Sequence, residues 1–260
     1  MTQVKGTSDT HPLLSPNDEW ADFEIMEARI GSIPPAFSFP AGGYVRDAYI
    51  RGLMSNQFGT GNPYKFGLIG ASDTHVLGAG LREENYWSKI ALVDADPRAR
   101  GSVPVSEEDR DVVPNRGGVS FKEFDQGDYV IVGLENWGAS GLAGAWAEEN
   151  TRESIFNAFR RKETFATSGP RILVRFFGGF DLDELSFSDE NIIKSAYETG
   201  VPMGGDIFAE ETDKAPSFLV WAQRDVNGAP LQRVQIIKGC LLYTSPSPRD
   251  ALTSRMPSSA

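Results

Sequence analysis

In FGLIGASDTH, Phe66 to His75, an apolar run of Phe66, Leu68 and Ile69 stops at a glycine and passes straight into Ser-Asp-Thr-His. A buried parallel strand ends this way at its carboxyl edge, where α/β folds gather their ligand sites. The helix-forming stretch YVRDAYIRGLM ahead of it keeps Val45, Ala48, Tyr49 and Leu53 at helical spacing. Helix, strand and acidic loop in that order predict an α/β fold.

The same Gly-x-Ser-Asp-Thr-His run occurs at Gly6–His11 and at Gly70–His75, and these two copies hold both histidines of the chain. In extended backbone, residues two apart point the same way, so Asp73 with His75, and Asp9 with His11, can each converge on one divalent cation. The bland alternatives are a surface turn, a hydrogen-bonded pair or, for the first copy, a structural loop. If both copies end strands of one barrel, His11 and His75 lie at the same end of the fold.

The remaining composition narrows the function. The 260 residues carry 36 acidic and 25 basic side chains, a net charge of −11, which argues against nucleic acid but allows a small phosphorylated substrate held by a metal. No apolar run is long enough for a membrane span. The 27 glycines and 16 prolines predict prominent loops rather than a helical bundle.

Along the chain, Ser15, Pro16, Asn17 and Asp18 read as a turn and cap before Phe23, Ile25 and Met26, and a Pro/Gly loop runs from about Ile33 to Gly43. Residues from about 93 to 141 read as an insertion over the barrel mouth, a candidate lid. A helix with Thr151 as N-cap follows, Ile155, Phe156 and Phe159 on its core face and Arg160, Arg161 and Lys162 at its end. RILVRFFGGF, SFLVWAQRD and LQRVQIIKG read as strands, with a turn at Asn227-Gly228, in a β-rich module without a catalytic motif. From Cys240 the sequence changes character and reads as translated sequencing adapter, which leaves no native cysteine.

KGTSDTHPLLSPNDEWADFEI, FGLIGASDTH, EENYWSK, GLAGAWAEENTRESIFNAFRRKETFATSGPRI, GVPMGGD and LQRVQIIKG, spread over about residues 2 to 239, resemble the domain of unknown function 3604 family. FGLIGASDTH also resembles the last metal-binding motif of the polymerase and histidinol phosphatase (PHP) superfamily. The resemblance implies the C-terminal part of a PHP-like distorted (β/α)7 barrel over residues 1–168, a β-rich accessory module over 169–239 and a non-native tail over 240–260. It implies a metal-dependent hydrolase, foremost a phosphoesterase, with Asp73 and His75 as catalytic metal ligands and zinc, manganese or iron as the ion; Asp9 and His11 fall in an earlier loop without a superfamily role of its own and read as further metal ligands or phosphate contacts, or as a structural loop.

The opening His-x-His of such sites has no counterpart here, so the expectation is a chain truncated at both ends and nearly inert, its cytoplasmic or periplasmic origin unreadable. Lys5, Arg46 and Arg82 are the candidate substrate-phosphate contacts, against the plainer reading of solvated charges. Glu83 and Glu84 read as an acidic helix turn rather than partners of the metal ligands. The rival class is a non-catalytic carbohydrate- or protein-binding module, suggested by Trp87, Trp137 and Trp146 in a β-rich setting.

Overall fold

The structure, a computed structural model, describes residues 1–26, 39–75, 96–101, 103–110, 120–131, 141–208 and 214–241. It divides into two compact units: residues 1–65, 71–141 and 233–260, and residues 66–70 with 142–232.

The first unit opens with a hairpin of β1 (Thr2–Gln3) and β2 (Gly6–Thr7), in the register Thr2 to Thr7 and Gln3 to Gly6. Gly6 is required there. Its φ is +120°, and a Cβ would lie 2.2 Å from the Glu24 carbonyl oxygen, which accepts the Thr7 amide at 2.9 Å. The predicted helix is α1 (Val45–Gln57). The side chain of its N-cap, Tyr44, does not cap the helix; instead the amides of Val45 and Arg46 donate to the carbonyls of Ser8 and Asp9, at 2.9 and 3.2 Å. The first SDTH loop is therefore the cap of α1.

A short helix α2 (Pro97–Arg100) starts on Asp96, whose side chain accepts the Arg98 amide, with Pro97 at the first helical position. It packs Ala99 against Val105 and Val130. Val130 belongs to a regular hairpin of β3 (Ser120–Phe124) and β4 (Gly127–Ile131). This hairpin lies in the segment the sequence reads only as insertion.

The second unit pairs β5 (Ala143–Ala145) with β6 (Thr164–Ala166), joined through α3 (Arg152–Arg161). Thr151 caps α3 as predicted, its hydroxyl accepting the Ser154 amide. The core face differs from the prediction. Ile155, Phe156 and Phe159 are 37, 62 and 43% exposed, and Ala158 is the buried residue: the helix meets its neighbours through a small side chain, which brings backbones close and leaves the larger ones outside.

Then come β7 (Leu173–Gly179), α4 (Ile192–Thr199), β8 (Val201–Pro202) and β9 (Ser217–Gln223). Their strands form an antiparallel sheet in the order β8-β7-β9. Its core is Phe177, Leu182, Ala196 and Leu219, with Ile192 and Ile193 packed against it. RILVRFFGGF and SFLVWAQRD are thus strands, and Asp225 to Gly228 is a turn closed by the Gly228 amide on the Asp225 carbonyl.

Two predicted strands carry no ladder. Phe66 to Ile69 belongs to no strand ladder among the described residues, with Phe66 and Ile69 about half exposed. Leu231 to Gly239 likewise runs without strand pairing, Val234 and Ile236 outward. β-propensity becomes a strand only where a neighbour supplies a ladder, and no strand ladder includes either segment among the described residues. All described strand pairs are antiparallel, so the expected barrel remains a matter for the proposal below.

Candidate metal site at the paired SDTH loops

In the first copy, each polar group has a local task. The Thr7 hydroxyl accepts the Asp9 amide at 3.1 Å, and the Thr10 and Ser15 hydroxyls bond at 2.7 Å in a buried position. The Asp9 carboxylate takes the Arg46 guanidinium in a fork, Nε at 3.0 Å and Nη2 at 2.5 Å. Nη1 of the same arginine reaches Asp18 at 2.7 Å. Burial pushes the Asp18 carboxyl up, but hydrogen bonds from Arg46, the Trp20 amide and Gln235 outweigh it and hold the group below its ordinary value. Burial opposes the charge on Arg46 too, and again the bonds to Asp9 and Asp18 win and push its pKa up.

His11 is fixed with equal economy. Its carbonyl accepts the amides of Leu14 and Ser15 at 2.8 and 2.9 Å, and its Nδ1 accepts the Leu13 amide at 3.1 Å. An Nδ1 that accepts leaves the proton of the neutral ring on Nε2. The Nδ1 lone pair of His11 is thus engaged by a backbone amide.

The second copy is tied to the first through β1. The Ala71 amide donates to the Thr2 carbonyl at 3.0 Å, and Lys5, one residue ahead of the first copy, forms an ion pair with Asp73. The extended geometry expected for Asp73 and His75 does not hold: Asp73 has φ +50°, the left-handed region that aspartate tolerates in tight loops. The alternation rule therefore cannot be what brings the pair together. His75 is exposed and makes no hydrogen bond or ion pair with any described residue. The hydroxyls of Thr2 and Thr74 are buried and have no partner among the described residues.

The two copies thus differ in their partners. Asp9 takes Arg46 in a fork and His11 Nδ1 accepts the Leu13 amide, whereas in the second copy the Asp73 carboxylate pairs with the ammonium of Lys5 and the buried Thr74 hydroxyl has no partner among the described residues. Among the described residues no three of His, Cys, Asp and Glu come together in a metal-holding group. Lys5 and Arg46, the candidate phosphate contacts, both face carboxylates. Arg82, Glu83, Glu84, Trp87 and Trp137 lie outside the described residues.

A family model described as "Protein of unknown function (DUF3604)" matches residues 1–246. The chain belongs to the DUF3604 family. No curated protein and no solved structure matches it. Three of the motifs that carry the likeness to DUF3604 meet in the second unit at Lys162. A Cβ on Gly204 of GVPMGGD would lie 2.3 Å from the Lys162 carbonyl oxygen, and one on Gly67 of FGLIGASDTH would lie 3.2 Å from the Lys162 Cα. Lys162 itself, the left-handed residue that ends α3, comes from the longest motif.

The second unit also holds a polar network that the sequence does not announce. Glu163 is buried, at 4% exposure, and accepts the Tyr197 hydroxyl. That oxygen in turn accepts from Arg175 Nη1 at 2.5 Å, and the guanidinium lies 3.4 Å from the centre of the Trp146 ring. The Trp146 indole N–H donates to the Val174 carbonyl at 2.9 Å. Burial first, then Glu163, pushes the Tyr197 hydroxyl up to about 12. Trp146, one of the three tryptophans behind the binding-module reading, is thus pinned beneath an arginine. Glu163, Arg175 and Tyr197 stand on three different segments, so no local spacing in the sequence links them.

Proposed function

We propose that this DUF3604 chain forms one wall of a divalent-metal hydrolase site, with Asp73 and His75 as protein ligands and a phosphate ester as substrate, on a PHP-like barrel. The observation that carries it is the contrast between the copies: the Asp73 carboxylate of the second pairs with the single ammonium of Lys5, and His75 is exposed with no hydrogen bond or ion pair to a described residue. The first copy serves the fold. Its loop caps α1, and its aspartate and arginine lock that cap in place.

A bound divalent ion supplies a water acidified to near neutrality and charge to match the phosphoryl oxygens. The chain's own residues do the rest. Asp73 and His75 would hold the ion, and the hydrogen bond from Ala71 to Thr2 fixes their loop against β1. Lys5 brings a positive charge to the same place in a chain of net charge −11, where an anionic substrate otherwise meets repulsion.

The test is hydrolysis of p-nitrophenyl phosphate with added Mn2+ or Zn2+, on this chain and on the longest reading frame that contains it. Turnover is expected to require the metal, and Asp73→Ala or His75→Ala to lower kcat/KM at least about 100-fold. Turnover that survives both substitutions, or that chelator leaves intact, would sink the assignment.

A further inference from the structure

We propose that two unlike surface patches of the second unit bind each other between copies of this chain: the outer face of α3, apolar and basic, takes the acidic loop that carries Phe187 on a second copy.

Arg152, Ile155, Phe156, Phe159 and Arg160 recur along α3 at spacings of three and four, so they share one face. The helix packs inward through Ala158, which leaves this stripe in water, Phe156 at 62% exposure. Three large apolar side chains side by side make a patch, where a single one would need no explanation. Arg152 and Arg160 edge it without an ion-pair partner among the described residues, whereas Arg161 pairs with Glu148 and Glu163. The one acidic residue of α3, Glu153, leaves the face net positive. An apolar patch edged by unmatched arginines selects an acidic partner, and a chain of net charge −11 offers one in itself. In residues 181–191, Leu182 is buried and Leu185 packs on the same core, and the Asp189 amide closes a turn on the Ser186 carbonyl at 3.0 Å. Phe187 occupies the second position of that turn and is held outward, 85% exposed. Asp183, Glu184, Asp189 and Glu190 flank it in sequence and are exposed. Asp183, Asp189 and Glu190 have no ion-pair partner among the described residues, and Glu184 reaches Lys214 only at 3.6 Å. The loop is already shaped, so docking it costs little ordering. Its ring meets the phenylalanines of α3 and its carboxylates meet the arginines. Both patches stand exposed on the single chain, so their meeting takes two copies. A contact of this few side chains belongs to the small, transient class.

The experiment is sedimentation velocity of the full chain from micromolar to millimolar concentration, for wild type, Phe156→Ser, Phe187→Ser and an equal mixture of the two variants, each checked for folding by circular dichroism. Wild type is expected to self-associate, and either substitution to raise the apparent Kd about tenfold or more. Because the two patches differ, a variant that loses one keeps the other. The mixture should therefore associate again, to within about fourfold of wild type, one variant bringing an intact helix face and the other an intact loop. Charge reversal gives the same test without touching an aromatic ring: Arg152→Glu/Arg160→Glu should fail to associate alone and recover when mixed with Asp189→Lys/Glu190→Lys. Wild type that stays monomeric at millimolar concentration, association that survives both phenylalanine substitutions, or mixtures no stronger than the variants alone overturn the pairing. So does wild-type binding to phosphatidylserine vesicles that Phe156→Ser abolishes, which would assign the α3 face to a membrane instead.

Discussion

Two histidines with the same four-residue neighbourhood end in different surroundings, and one backbone amide makes a visible difference. The Leu13 amide bonds to His11 Nδ1, while His75 has no such bond among the described residues. The sequence shows the repeat and the residue types. It does not show the tautomer, because that depends on the turn after His11. Asp73 teaches the same lesson: Asp-x-His reads as an alternating pair only if the backbone is extended, and φ +50° removes that premise. Tyr197 gives a prediction at this scale. Its hydroxyl titrates at about 12 in the folded chain, against about 10 for an ordinary tyrosine. A raised value means that this group's contribution to stability is complete below about pH 10 and is lost as pH climbs through the folded value near 12. Ultraviolet titration of tyrosine ionisation should therefore show one late phase, absent from Tyr197→Phe. A late phase that persists in the variant assigns it to another tyrosine.

Among elements, helices were more legible than strands because their signals are local. Thr151 ahead of an amphipathic run is sufficient to place α3, and its hydroxyl does accept the Ser154 amide. Thr151→Ala should cost about 1 kcal/mol of stability, measured by denaturant unfolding; no change in the midpoint would show that the cap is redundant. The start of α1 was hidden, since its cap is the backbone of Ser8 and Asp9, some 36 residues upstream. Acid should loosen that clasp. The Asp18 carboxyl lies below its ordinary value in the fold, so the stability it lends is present above the unfolded value, about 4, and is lost as pH falls through the lower folded one. Amide protection at Val45 and Arg46 should fall below about pH 4 before protection in α3 does. Loss in α3 first, or together, would separate the clasp from Asp18. Phe66–Ile69 and Leu231–Gly239 read as strands yet join no ladder among the described residues, and the hairpin of β3 and β4 is not legible in its segment, for one reason: pairing is a property of neighbours, which a single segment does not contain.

For the whole molecule, family membership runs through both units, and glycines of two separate motifs crowd around Lys162 of a third. Those glycines were visible as motif residues, yet their purpose, close backbone approach, emerges only from the packing. The metal-donor contrast between the SDTH copies is likewise a product of the fold, since Lys5, Asp9, Arg46 and Asp73 come from distant stretches. With just two histidines in the chain, long-range proton–nitrogen correlation of the imidazoles during a Zn2+ titration reads both copies in one sample. The His75 nitrogens should shift on ligation while His11 keeps its Nε2–H form throughout; ligation of His11, or an unperturbed His75 at saturating zinc, would contradict the assignment of the metal to the second copy.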